Sequence, residues 1–462
     1  MGGCRVEKEE EKKDLVKELE QYLAKNDLMQ VKNFLNQFQA VDIAEIVENL
    51  ELVEHQFQVI SLLINEKVAL VLNEMETELV IKLLSCFDLK RATKILEEMP
   101  ADEATDFLGE LSDKEQTRYL QMMGKEDRAE VRELLTYPED TAGGIMTTEY
   151  VAVNENITVV KAIDILRETA PDAETIYYVF VVNALNHLVG VISLRELIVA
   201  STEAIIKDIM KSNVVSVPVD MDQEEVAQIV TKYNFLAIPV IEHDNSLLGI
   251  VTVDDVIDVI HEEATEDMYR LAGALGEEDE DDSFLRRIVA SLRTRLPWLF
   301  VTMVGGLLSG QVLSSFSEQL NAVVALAFFI PLLTGMGGNV GTQSSTITVR
   351  GIATNQIKDD QVCKVVVREA IVGLMIGAIL GFIVGSVASW WLKKPMLGVV
   401  VGLAMMGNMI TASTMGTLVP IAFKKIGIDP AVASAPFIST VVDITGLLIY
   451  STLATLLIKS LI

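Results

Sequence analysis

The sequence predicts a multi-domain chain in four parts. An all-α N-terminal domain forms a helical superhelix (1–136), and an α/β domain is built from a tandem repeat (137–262). A long connecting helix (263–296) then leads into a polytopic α-helical membrane domain with five spans (297–462). Three observations predict this. Leucines and isoleucines recur at three- and four-residue spacing from about Lys12 to Leu135. Two copies of one sequence unit follow. From Pro297 the chain turns apolar, in runs that approach or exceed the roughly 20 residues needed to cross a bilayer. A chain of 462 residues also exceeds what a single core supports.

Charge divides the chain the same way. The net charge is −29, yet from Ser283 onward there are 13 Lys+Arg and 6 Asp+Glu, which leaves 24 basic and 60 acidic residues before it. An acidic soluble half joined to an apolar, mildly basic half fits a membrane-attached protein and argues against nucleic acid as a partner. Divalent cations suit it better. Cys4, Cys86 and Cys363 show no CxxC spacing, so a disulfide framework or thiolate metal site is not expected. The segment MGGCRVEKEEEKKD lacks the apolar core of a signal peptide, and Val6 stands where a myristoylation motif after Gly2 wants Ser or Thr.

In the helical part, runs such as VDIAEIVENL and ADEATDFLGEL are short, and each apolar stripe is too narrow to be buried alone, so stacking is expected. Asp102, after Pro100, suits a helix cap better than a metal site. In the repeat, GGIMTTEY opens the first copy and LVGVISLRELI closes it. IKDIMKSN opens the second and LLGIVTVDDVI closes it. Met146 corresponds to Met210 and Gly190 to Gly249, offsets of 64 and 59. Short β-branched runs alternate with amphipathic helices, so strands and helices share one layer system. The pattern resembles a tandem pair of CBS domains, a regulatory module, which implies a sensor.

Asp254, Asp255, Asp258, Glu262, Glu263, Glu266 and Asp267 then recur at helical spacings. Like charges so placed repel by about 0.2–0.5 kcal/mol per pair. They form either a solvated acidic face or a set of oxygen ligands for a hard divalent ion such as Mg²⁺, which keeps several waters. No EF-hand, HExxH or GxxxxGK pattern is present, so bridging between surfaces is expected, not a preformed cage.

The five spans are expected at Pro297–Val312, Ala322–Thr342, Val365–Leu392, Leu397–Phe423 and Pro430–Ile458. Arg286, Arg287, Arg293, Arg295, Arg350, Lys358, Lys364, Arg368, Lys424 and Lys425 fall on the side shared with the acidic part. Only Lys393, Lys394 and Lys459 fall on the other. The positive-inside rule makes the acidic part cytoplasmic and the C-terminus external. The second span ends in IPLLTGMGGNVGTQSSTITVRG, where Asn339 and Gln343 sit among glycines. It is either a small-residue packing seam or irregular polar backbone beside a cavity. Asn408 lies in a similar small, polar stretch of the fourth span. Asp443 sits near the middle of the fifth, the one acidic residue expected deep in an apolar run. A carboxylate there costs about 2.5–3.5 kcal/mol on insertion scales. Without a basic partner at that depth, a cation site is favoured over a structural pair.

The runs PxxxGMGGNxGxQ at Pro331–Gln343 and DPAxAS…P…DxTGLLIY at Asp429–Tyr450 are similar to those of the MgtE family of Mg²⁺ channels and transporters, and the similarity follows the whole chain in order. The resemblance implies a homodimer in the inner (plasma) membrane, with a pore lined by the second and fifth spans. Asp443 would recognise a largely hydrated Mg²⁺, and Ser439 lies one turn away. It implies regulatory Mg²⁺ at Asp102, Asp222, Glu224, Asp255, Asp258, Glu263, Glu266 and Asp267, with a plug helix from about Asp267 into Arg295. Asn234 and Leu70 depart from the pattern, where one member has Asp and Glu. Tyr178, Arg195 and Phe235 match contacts of a nucleotide cleft for ATP, but Glu196 replaces an Asp. The resemblance thus implies Mg²⁺ uptake closed by cytosolic Mg²⁺, and not an enzyme. The alternatives are a membrane-anchored Mg²⁺ or nucleotide sensor without transport, and a transporter of Co²⁺ or Mn²⁺. The lack of a Cys/His cluster in the membrane half weighs against softer metals.

Overall fold

The computed structural model describes residues 14–461, apart from 51, 170–172, 174, 274–283, 355, 358–360 and 433–434. Gly2, Cys4, Lys358 and the middle of the expected connecting helix lie outside the described residues. The chain divides into two compact units, Met1–His261 and Glu262–Ile462.

In the first unit, nine helices of eight to ten residues run from Leu28–Leu35 to Lys125–Leu134. Helices this short are marginal alone in water, so packing must hold them. They stack in two rows. Ala40–Glu48, Asn65–Asn73, Leu89–Leu96 and Asp113–Met122 pack successively in one, and Val53–Ser61, Thr77–Cys86, Ala101–Gly109 and Lys125–Leu134 in the other. Between the rows lies one apolar core that includes Leu35, Ile43, Ile60, Leu72, Leu83, Leu96 and Leu108. The expected superhelix is present. Asp102 does not cap its helix, however. Pro100 holds the N-cap position and Asp102 sits in the first turn, where a carboxylate still favours the positive helix end.

The repeat forms two three-stranded sheets. In the first, β1 (Ala152–Asn154) runs parallel to β2 (Tyr178–Val182), which runs antiparallel to β3 (Leu188–Ser193). In the second, β4 (Val217–Pro218), β5 (Ala237–Ile241) and β6 (Leu247–Thr252) repeat this order. The opening segments are crossed between the copies. Thr147, from the start of the first copy, bridges to Ile250 in the second, and Lys211, from the start of the second, bridges to Val191 in the first. A Cβ at Gly249 would lie 2.9 Å from the Met146 sulfur, and one at Gly190 would lie 2.4 Å from that of Met210. Each opening methionine therefore packs on the closing glycine of the other copy, not of its own as the sequence order suggests.

Helix Val253–Ala272 follows β6 directly, so the expected border between residues 262 and 263 falls inside it. It stops where Gly273 adopts φ +75°, a left-handed conformation that favours glycine. The next helix, Phe284–Ser315, joins the end of the expected connecting segment to the first span and passes through Pro297. A single helix from Asp267 into Arg295 is therefore not what the described residues form.

The second unit holds five helices long and apolar enough to cross a membrane: Ser291–Ser315, Val324–Ala353, Val362–Leu392, Pro395–Lys425 and Ala435–Leu457. The second continues beyond the expected Thr342. Its glycine-rich stretch is regular helix, Ile330–Ala353, so the small residues serve close packing and not an irregular backbone. A Cβ at Gly416 of the fourth helix would lie 2.3 Å from the Gly341 carbonyl of the second. The third and fourth approach as closely, with Gly385 and Gly398 facing each other's backbone. Trp390 and Trp391, at the C-terminal end of the third helix, are exposed, as in the aromatic belt of a membrane interface.

Candidate ion pathway and acidic approaches

Within the first unit, Glu103 on helix Ala101–Gly109 gathers the predicted residues around it. Burial pushes its carboxyl up to about 8, helped by the charges of Asp102, Asp106 and Asp255, while a hydrogen bond from Asn73 opposes the shift. Two of the predicted regulatory residues, Asp102 and Asp255, thus sit beside one carboxyl that the sequence did not single out. Burial also raises Asp255, although it accepts the Thr252 backbone N–H at 3.2 Å as part of the helix start. Asp222 caps helix Gln223–Tyr233 by accepting the Glu224 N–H at 2.9 Å, and Glu224 accepts from Gln228. Asn234 closes that helix at φ 54°, a left-handed position that asparagine tolerates. Asp258 is exposed.

The predicted nucleotide residues are spread over both copies. Tyr178 begins β2, Arg195 is exposed on helix Leu194–Val199, and Phe235 stacks on Tyr233 with ring centroids 5.3 Å apart. Glu196 is held locally. It pairs with Lys211 at 2.8 Å, accepts the Ser193 N–H at 2.9 Å, and its carboxyl is drawn down to about 2 by Lys211 and then Ser193.

In the second unit, Glu263, Glu266 and Asp267 are half-buried. Burial raises Asp267 to about 6, with Asp429 and Glu263 adding to the shift and Arg270 opposing it. Arg270 pairs with both Glu266 and Asp429. The sequence presents Asp429 only as the first letter of a motif; its nearness to Arg270 and Asp267 on the acidic helix appears with the fold. Among the described residues, no group of three or more His, Cys, Asp or Glu is placed to hold a metal ion by itself.

Asp443 lies half-buried on the fifth helix, and Ser439 is one turn before it. Gly338 of the second helix admits Ser439 closely, since a Cβ there would lie 3.2 Å from the Ser439 Oγ. Asn339 and Gln343, together with Gly335, share an exposed face of the second helix at four-residue spacing. Asn408 behaves differently. It is 1% exposed and donates through Nδ2 to the Leu333 carbonyl at 2.7 Å. A second acidic residue is also buried in the membrane half. Glu369 is 7% exposed on the third helix, with its carboxylate 3.3 Å from the Arg368 guanidinium and 3.5 Å from the Ser413 hydroxyl. The expectation that Asp443 stood alone is therefore corrected. Glu369 follows Arg368 near the start of its helix, so in the sequence it looked like an end charge. Ser344–Ser413 and Thr348–Thr417 continue this polar seam between the second and fourth helices.

These features coincide with a known family. A divalent cation transporter model, MgtE, matches residues 330–453, the MgtE intracellular N domain matches 38–140, and CBS domain models match 142–203 and 206–262. The chain is 43% identical over 334 residues to the magnesium transporter MgtE of Enterococcus faecalis, covering 72% of this chain and 73% of that protein. To the magnesium transporter MgtE of Thermus thermophilus it is 42% identical over 342 residues, covering 73% and 75%. The crystal structure of the soluble part of a magnesium transporter is similar at 38% identity and a TM-score of 0.51, covering 55% of this chain and 99% of that one. The cytosolic domain of the Mg²⁺ channel MgtE in complex with ATP is similar at 39% identity and a TM-score of 0.51, covering 53% and 99%. With its membrane helices, intracellular domain and paired CBS domains all matched in order, the chain belongs to the MgtE family of divalent cation transporters.

Proposed function

We propose that this chain carries Mg²⁺ into the cell as a homodimeric pathway through the plasma membrane, and that Mg²⁺ on its cytoplasmic face closes it. The observation that carries the proposal is the polar face of the second span. Gly335, Asn339 and Gln343 are uncovered in a helix long enough to cross the membrane, and the neighbouring fifth span carries Ser439 and Asp443. Amides and a carboxylate are costly against lipid, so such a face belongs against water or a partner. A second copy around the same axis supplies both. Mg²⁺ dehydrates reluctantly, so Asp443 from each subunit accepts hydrogen bonds from the ion's water shell, with Ser439 beside it, while Asn339 and Gln343 line the approach. The excess of cationic residues on one side supports a cytoplasmic placement of the acidic unit and an external C-terminus.

Regulation follows from charge. At low Mg²⁺ the carboxylates at Asp102, Asp222, Glu224, Asp255, Asp258, Glu263, Glu266 and Asp267 repel, and burial makes ionisation costly at Asp255 and Asp267. Divalent ions, keeping part of their water, bridge these surfaces and shift the population to the closed form. The ATP in the related cytosolic structure supports a nucleotide at Tyr178, Arg195 and Phe235. Here Glu196, paired with Lys211, must be released before it can take part.

The test is Mg²⁺ flux into liposomes bearing the purified chain, with Mg²⁺ varied separately on the cytoplasmic face and Co²⁺ and Mn²⁺ run alongside. Flux should fall as that Mg²⁺ rises, and Asp443→Ala should abolish Mg²⁺ preference. A folded dimer that passes no Mg²⁺ at any concentration is a sensor instead, and one that prefers Co²⁺ or Mn²⁺ carries another metal.

A further inference from the structure

Asn408 is the most deeply buried amide among the described residues of the membrane helices, and it stands where three of them meet. Its Nδ2 is anchored on the Leu333 carbonyl of the second span at 2.7 Å. A Cβ at Gly337, also on the second span, would lie 2.5 Å from the Nδ2 and 2.8 Å from Val442 Cγ1. A Cβ at Gly446, on the fifth span, would lie 2.4 Å from the Asn408 Oδ1. That oxygen is buried and has no hydrogen-bond partner among the described residues. A buried acceptor left unpaired costs stability, which an apolar side chain of similar size avoids. Stability alone therefore does not account for an amide here. The two glycines it separates flank the proposed ion-binding residues: Gly337 precedes the Gly338 that admits Ser439, and Gly446 comes three residues after Asp443.

We propose that Asn408 is a positioning residue: a wedge from the fourth span, fixed by its bond to Leu333, that sets the separation of the second and fifth spans and so the spacing of Ser439 and Asp443 toward a hydrated ion. This rests on the pore proposed above. Recognition of a hydrated ion depends on the span between oxygen acceptors, so a small change in helix separation alters which ion is preferred before it abolishes passage.

The test is a double-variant cycle on the full-length chain in liposomes, with Gly446→Ala, Asn408→Ala and the combined variant. Two quantities are read, thermal stability and the ratio of Mg²⁺ to Ca²⁺ flux. Gly446→Ala forces a methyl against the Asn408 oxygen and should lower both, the flux ratio by about ten-fold, equivalent to about 1.4 kcal/mol between the ions. Asn408→Ala alone should lower the ratio too. The combined variant, freed of the collision, should recover in both measures relative to Gly446→Ala. Losses that simply add in the combined variant would mean the two residues do not press on one another and would overturn the proposal. So would an unchanged flux ratio in folded Asn408→Ala. If Gly446→Ala does not fold, a combined variant that does fold supports the wedge, and one that also fails overturns it. A wild-type chain without Mg²⁺ flux sinks the pore and this role with it. A wild-type chain with flux, whose variants keep their selectivity, sinks this role alone.

Discussion

Asn186 and Asn245 join the two copies of the repeat by the same pair of bonds, each made to the other copy. Asn186 accepts the Leu247 N–H and donates its side-chain amide to the Leu247 carbonyl, at 3.1 and 3.2 Å. Asn245 treats Leu188 alike, at 3.0 and 2.8 Å. Both asparagines have left-handed backbones, φ 62° and 72°. Replacing either by Ala should lose a part-buried hydrogen bond and strain the backbone, together about 1–2 kcal/mol. Glycine should cost less, because it relieves the strain. Faster hydrogen exchange at the Leu188 and Leu247 amides reads the loss, and equal exchange in the Ala and Gly variants would contradict the part assigned to φ.

Glu103→Gln isolates the acidic cluster in the first unit. The folded carboxyl is raised from 4.5 to about 8. Its contribution to stability is thus fully present below about pH 4.5 and lost as pH rises through about 8. In Mg²⁺-free buffer near pH 8, the Gln variant should protect helix Ala101–Gly109 from exchange better than wild type. The difference should vanish near pH 4.5, and added Mg²⁺ should protect wild type more than the variant.

Glu196 has the opposite sign. Its folded carboxyl is lowered from 4.5 to about 2. Its stabilisation is therefore present above pH 4.5 and fades as pH falls from there toward 2. Both partners of the Glu196–Lys211 pair are well exposed, so the effect is small and screened by salt. Glu196→Gln should reduce the acid sensitivity of helix Leu194–Val199. Acid titration of its exchange rates in both proteins is the check.

Neutralising Asp255, Asp258 and Asp267 together should raise the cytoplasmic Mg²⁺ needed for closure, by about ten-fold if the lost bridging amounts to about 1.4 kcal/mol. Flux against cytoplasmic-face Mg²⁺ measures it. An unmoved midpoint would remove these carboxylates from regulation.

Much of the fold is legible without coordinates. The stacked short helices follow from narrow apolar stripes, and the five membrane helices follow from length and hydropathy. The site is only partly so. Asp443 stands out because a carboxylate amid apolar residues is visible in one dimension. Glu369 does not, because the Ser413 hydroxyl that meets it lies on another helix, 44 positions along the chain. Glu103 resembled any surface glutamate until Asp255, 152 positions away, was brought near it.

By itself the sequence determined which faces are apolar, where charge accumulates and which segments recur, since periodicity and composition act over a few residues. It could not say that Met146 packs on Gly249 in place of Gly190. Nor could it place Asn408 between Gly337 and Gly446. An apolar stripe or a glycine declares that something will approach closely, but not what. The choice among partners far apart in the chain depends on fitting whole helices and sheets together at close-packed density, and only the tertiary structure makes it.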